Sequence, residues 1–155
     1  MSPERSRGPK PAAPPLRLAV ETVRLSDDWP EPGLDRLIER IAVIAHRLAT
    51  APKSDRPDTV CISLASDAGI ADLNRRFRGL DQPTNVLSFP AGRETARDWM
   101  SERPIGDVIL ARETIVREAG ELGIPVEHHV AHLVAHGVLH LLGHDHQDEA
   151  EAEAM

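Results

Sequence analysis

The chain has 155 residues, 41% of them apolar and 28% charged, enough for one soluble domain with a real core. No apolar run approaches the ~20 residues of a membrane helix, and the N-terminal stretch lacks the apolar region of a secretory signal. The net charge of -7 argues against a broad grip on nucleic acid, although all 18 basic residues fall before residue 118 and leave room for a local basic surface.

Residues 1–15 hold five prolines, and we expect a disordered or extended leader. "LRLAVETVRL" (Leu16–Leu25) alternates and is rich in β-branched residues, the pattern of a strand. Leu34, Leu37, Ile38, Ile41, Ile44, Ala45 and Leu48 recur at helical spacing and predict an amphipathic helix. "DTVCISLAS" predicts a second strand, with Val60, Ile62 and Leu64 on one face. The single Cys61 within it reads as a buried, inert thiol.

Asp67 is placed to cap a short helix that carries Ile70, Leu73 and Phe77 on one side. "QPTNVLSFP" is a short strand between two prolines, which suits a sheet edge. A loop through "AGRETARDWMSERP" leads to a further strand, "IGDVILA", and to a helix, "RETIVREAGELG". Pro125 opens the last helix, and Gly143 can close it as a left-handed cap. Residues 147–155 read as an acidic, solvated tail. Interleaved strands and helices without an internal boundary predict a single α+β domain over residues 16–146, a small mixed sheet packed with helices.

Seven of the eight histidines lie between His128 and His146. His136 and His140 are four apart, so they project from one helix face, one turn above the other. Gly143 releases the chain from the helix and can return His146 toward the same point. This is the ligand spacing of the zinc motif H-E-x-x-H-x-x-G-x-x-H, and three imidazoles with one open position describe a catalytic metal site at the end of the C-terminal helix. The motif's glutamate, the general base of the metallopeptidases, is replaced by Gly137, so a peptidase reading loses its proton acceptor.

Imidazole ligands suit Zn, Cu, Fe and Ni alike, so the spacing fixes a site and not a metal. His132 and His128 continue the same face as outer partners or as half-exposed histidines, and His129 is expected at the surface. Asp145 either orients an imidazole or holds the turn. A fourth ligand from His144, His132 or Asp145 would close the site and make the metal structural.

"HGVLHLLGHDH" (His136–His146) resembles the signature H-G-x-L-H-L-x-G-x-D-H of the YbeY family, bacterial metal-dependent endoribonucleases also called rRNA maturation factors. "LNRRFRGLDQPTNVLSFP" (Leu73–Pro90) and "IGDVILA" resemble two further blocks of that family, and the likeness spans roughly residues 16–146. It implies an α+β domain with one zinc ion held by His136, His140 and His146. It also implies single-strand-specific cleavage in the 3′ maturation of 16S rRNA and in ribosome quality control, in the cytoplasm and beside ribosomal partners, with neither DNA nor membrane involved. The family's functional arginine falls on Arg78, a candidate to grip the scissile phosphate in bidentate fashion. Arg75 and Arg76 are candidates for flanking phosphates, although plain surface charge accounts for them more simply. Leu80 stands where the family often has a basic residue. Two alternatives remain at this point: a ribosome-assembly factor with a structural metal, and a metallohydrolase of another substrate.

Overall fold

The computed structural model describes residues 18–49, 56–79, 84–92 and 101–143, with Arg78 described by its backbone alone. The leader, the acidic tail, Leu80, most of the loop before the last strand, and His144, Asp145 and His146 lie outside those residues.

Along the chain the elements are β1 (Leu18–Arg24), α1 (Leu34–Ala49), β2 (Asp58–Ala65), α2 (Asp67–Arg78), β3 (Val86–Pro90), β4 (Arg103–Ala111), α3 (Arg112–Leu122) and α4 (Val126–Leu141). They build one mixed sheet in the order β1-β2-β4-β3. β1 and β4 run parallel to β2, and β3 closes the far edge antiparallel to β4. The proline-bounded strand is thus an edge strand, as its missing donors require.

Period-two alternation sorts the strand side chains onto two faces. Val60, Ile62, Leu64, Val108 and Leu110 point to one face, where α1 and α4 bury them beneath Ile38, Ala42, Val130, Val134 and Val138. Ala65, Leu87, Ile109 and Ala111 point to the other, where α2 covers them with Ile70. At ~25 cal/mol per Å² of apolar surface, these two layers are the main source of stability.

Three details differ from the sequence reading. Ile44 and Leu48 are exposed, because the buried face of α1 centres on Leu34, Ile38, Ala42 and Ala45. Ser66, not Asp67, caps α2: its hydroxyl accepts from the Gly69 N–H at 3.1 Å. Asp67 instead reaches α3, accepting from the Thr114 N–H at 2.9 Å and its hydroxyl at 2.7 Å, while Glu113 accepts from the Asp67 N–H at 2.8 Å. Two helix N-termini therefore satisfy each other's donors. Pro125 is the residue before α4 rather than its first, and its carbonyl accepts from the His128 and His129 N–H groups.

Two glycines set where strands and helix meet. At Gly106, φ is +142° and a Cβ would lie 2.3 Å from the Phe89 carbonyl and 2.7 Å from Leu141 Cδ2. The register between β2 and β4 slips at this point, Thr59 facing Pro104 and Val60 facing Gly106. The second is Gly137, which belongs to the candidate site.

Candidate metal centre and substrate face

α4 carries its apolar stripe through Val130, Leu133, Val134, Gly137, Val138 and Leu141, all buried. His136 and His140 flank that stripe, half-buried, with ring centroids 6.1 Å apart. Two imidazoles bound to one zinc at about 2.1 Å each place their centroids roughly 5–6 Å apart, so the pair suits a shared cation. Neutral imidazole nitrogen is also the donor that such ions prefer. Among the described residues no third His, Cys, Asp or Glu joins the pair. Gly143 ends the helix with φ +84°, its N–H bonded to the His140 carbonyl at 3.0 Å. This is the left-handed turn the sequence required, and His146 follows it outside the described residues.

A Cβ at Gly137 would meet the two methyls of Val108 at 2.9 and 3.0 Å and Ser88 Oγ at 3.3 Å. The position that holds a glutamate in metallopeptidases faces packed strand here, with no space for a side chain. Glycine lets α4 settle onto β3 and β4, which fixes the height of His136 and His140 over the sheet edge.

The other histidines divide sharply. His128 and His132 are exposed on the same face of α4. His129, expected at the surface, is buried, and its Nε2 lies 2.8 Å from Glu118 Oε1 on α3. That oxygen also accepts from Asn85 Nδ2 at 3.0 Å, so one carboxylate ties the start of β3 to the histidine helix. Burial raises the Glu118 pKa, but the bonds from His129 and Asn85 outweigh it and hold the carboxyl below its ordinary value. Periodicity contained the signal: His129 lies three residues after Val126 and four before Leu133, inside the apolar stripe. His46 is buried too, with Nε2 2.7 Å from Asp58 Oδ2, and Asp58 also accepts from Arg103 at 2.8 and 3.1 Å. Asn74 is likewise buried within α2.

The arginines sit on another face. α2 packs on the side of the sheet opposite α4, so its arginines and the histidine helix lie on different faces. Arg75 and Arg76 are exposed and pair with Asp72 one turn back, Arg76 at 3.3 Å. Arg78 ends α2 before Gly79, whose φ of +72° reverses the chain. The edge strand β3 takes part in both layers: Leu87 packs under α2 on one face, while Ser88 lies beside Gly137 of α4 on the other. Beside it opens a groove of about 700 Å³, lined among others by Glu21, Cys61, Phe89, Pro90, Gly106 and Asp107. Cys61 is half-buried there rather than fully buried. Burial raises its pKa and the charges of Asp107 and Glu21 add to that, outweighing the Ser63 hydroxyl, so it stays an inert thiol at neutral pH.

A small α+β sheet with two histidines one helical turn apart, on a helix that a glycine seats against the edge strand, defines the scaffold that carries the candidate site. Comparison with known proteins identifies its family. The family model described as endoribonuclease YbeY matches residues 26–155, and the chain belongs to that family. It is 41% identical to endoribonuclease YbeY of Parvibaculum lavamentivorans over 99% of this chain and 84% of that protein. With the Rhodospirillum rubrum protein of the same name it shares 45% identity over 91% of this chain and 74% of the relative. A solved solution structure from Thermotoga maritima superposes with a TM-score of 0.51 at 26% identity, covering 82% of this chain and 74% of that one.

Proposed function

We propose that the protein is a single-strand-specific, metal-dependent endoribonuclease acting in rRNA maturation, including the 3′ end of 16S rRNA and ribosome quality control. The observation that carries this reading is the His136–His140 pair on a helix seated by Gly137, within a chain of the endoribonuclease family. His136, His140 and His146 would hold one divalent cation, zinc being the ion that the family resemblance implies. When bound, such a cation lowers the pKa of water to about 7 and polarises a phosphoryl oxygen.

The chain's own residues supply the rest. Neutral imidazoles add no charge, so the site retains an attraction for a phosphodiester despite the acidic sequence around it. Gly137 and the Glu118 clamp hold the helix against β3 and so set the ligands' position relative to the sheet edge. Arg78 would take the scissile phosphate in a two-pronged grip and offset charge that develops there, with Arg75 and Arg76 on neighbouring phosphates. Asp145 would accept the second N–H of a ligating imidazole or hold the attacking water in line. With few phosphates contacted, binding is weak, and a ribosomal partner in the cytoplasm supplies the remaining affinity and specificity. The tight packing at Gly137 disfavours the peptidase alternative. No helix among the described residues is long and apolar enough to cross a membrane.

The test is cleavage of a labelled single-stranded RNA with a 16S 3′ extension, beside its duplex, by protein whose metal content is measured. Metal-loaded wild type should cut only the single strand, and chelated protein and His140→Ala should cut more than about 100-fold slower, beyond the loss that outer partners of a metal site cause. Equal cutting by all three samples would refute the metal site. Bound metal without cutting would favour the assembly-factor role.

A further inference from the structure

The sequence contains only two phenylalanines, and they touch. Phe77, on the last turn of α2, meets Phe89 of β3 edge-to-face, ring centroids 5.5 Å apart at 62°. Phe89 packs against the small core beneath α2, but Phe77 is 65% exposed. Its helical partner Ile70, two turns earlier, is fully buried in that core. The exposed ring therefore adds little to the core that its own helix covers.

The surroundings of this ring are specific. Arg75 and Arg76 precede it on the same turn, exposed and paired with Asp72 at the helix surface where they remain open to a phosphate, and Arg78 follows it in sequence. On the other side, Phe89 pairs across the sheet with Asp107, and both line the open groove. Asp107 in turn lies beside Cys61, and Cys61 beside Glu21, so one row across the sheet carries two carboxylates. Pro90 and Gly106 line the same groove, and Gly106 abuts Leu141 at the end of the histidine helix. An aromatic shelf thus lies between the arginine-bearing end of α2 and a row of carboxylates, on the sheet face opposite the histidine helix.

One ligand chemistry matches this order. A phosphate goes to the arginines, a π-face goes to the ring, and an exocyclic amino group goes to a carboxylate. We propose that Phe77, braced by Phe89, is a stacking platform for an unpaired base of the RNA substrate, and that Asp107 accepts a hydrogen bond from that base's amino group. This deepens the endoribonuclease reading and rests on it. It also gives single-strand preference a physical cause. A paired base is already stacked between its neighbours, and the amino hydrogen that pairing leaves over lies in the deep, narrow major groove, so a duplex offers neither contact.

The experiment uses full-length, metal-loaded protein and two single-stranded RNAs, one intact and one series carrying a single abasic nucleotide at each position near the cut. Loss of one base–aromatic stack should raise KM about tenfold in Phe77→Ala with kcat little changed, and Phe77→Trp should keep the wild-type KM. One abasic position should weaken wild type by a similar factor and weaken Phe77→Ala no further. Leu122→Ala, which trims an equally exposed side chain on α3, should leave KM unchanged. Removing the Asp107 acceptor as Asp107→Ala should reduce the preference for adenine and cytosine over uracil at that position. An unchanged KM in Phe77→Ala, or independent losses from the variant and the abasic site, would overturn the platform while leaving the nuclease intact. A wild-type protein that neither binds nor cuts single-stranded RNA would overturn both.

Discussion

Two pairs of histidines in this molecule illustrate two uses of one side chain. His46 and His129 are buried, and each places a ring nitrogen within 2.8 Å of a carboxylate. His136 and His140 are half-buried and stand one turn apart, with ring centroids 6.1 Å apart. The first arrangement balances a buried charge and fastens one element to another. The second sets two imidazoles at about the separation that a shared cation would need. Histidine content alone does not distinguish them; burial beside a carboxylate marks the first pair, and helical spacing at a half-buried face marks the second.

The contrast is sharpest in stability. Asp58→Asn removes the negative charge and one of the two acceptor oxygens that His46 and Arg103 share in the core, and breaking a buried charge pair typically costs about 3–5 kcal/mol. Chemical denaturation should show a loss of that size, whereas alanine at His140 in metal-free protein should cost far less. A loss below about 1 kcal/mol for Asp58→Asn would place the His46 cluster outside the scaffold.

A smaller effect is expected at Gly137. Alanine gains up to about 1 kcal/mol of helix propensity, but overpacking against the Val108 methyls costs about 1–3 kcal/mol. The packing term is the larger, so Gly137→Ala should lower Tm and weaken metal binding together. A stabilised variant with unchanged metal affinity would show that the helix can shift without disturbing the ligands.

The smallest effect concerns acid. Burial raises the Asp58 pKa, but bonds from Arg103 and His46 more than reverse it; Glu118 follows the same pattern with His129 and Asn85. Both folded pKa values lie below their ordinary values, so the stability they contribute is complete above the usual carboxylate range and is lost as pH falls through about 4 and below. Tm measured downward from pH 6 should fall less steeply in Glu118→Gln than in wild type. Identical slopes would remove Glu118 from the clamp.

Local pattern carried much of this. Helical spacing placed His136 and His140 on one face, and Gly143 is the left-handed stop that the motif needs. The strands Val60–Leu64 and the proline-bounded edge strand were likewise readable from alternation and missing donors. What was not readable depends on partners distant in sequence. Nothing local to α2 specifies which side of the sheet it covers, so the arginines' position opposite the histidine helix emerged only in three dimensions. His129 read as surface because Glu118, its carboxylate, comes from the preceding helix. The reason for glycine at 137 was hidden for the same cause: Val108 and Ser88 arrive from two other strands.

Metal stoichiometry of purified variants tests the central distinction most directly. Wild type and folded His129→Gln should each bind one divalent ion per chain, while His136→Ala and His140→Ala, equally folded, should bind none. Retention of a full equivalent in His140→Ala, or its loss in folded His129→Gln, would contradict the assignment of the two histidine pairs.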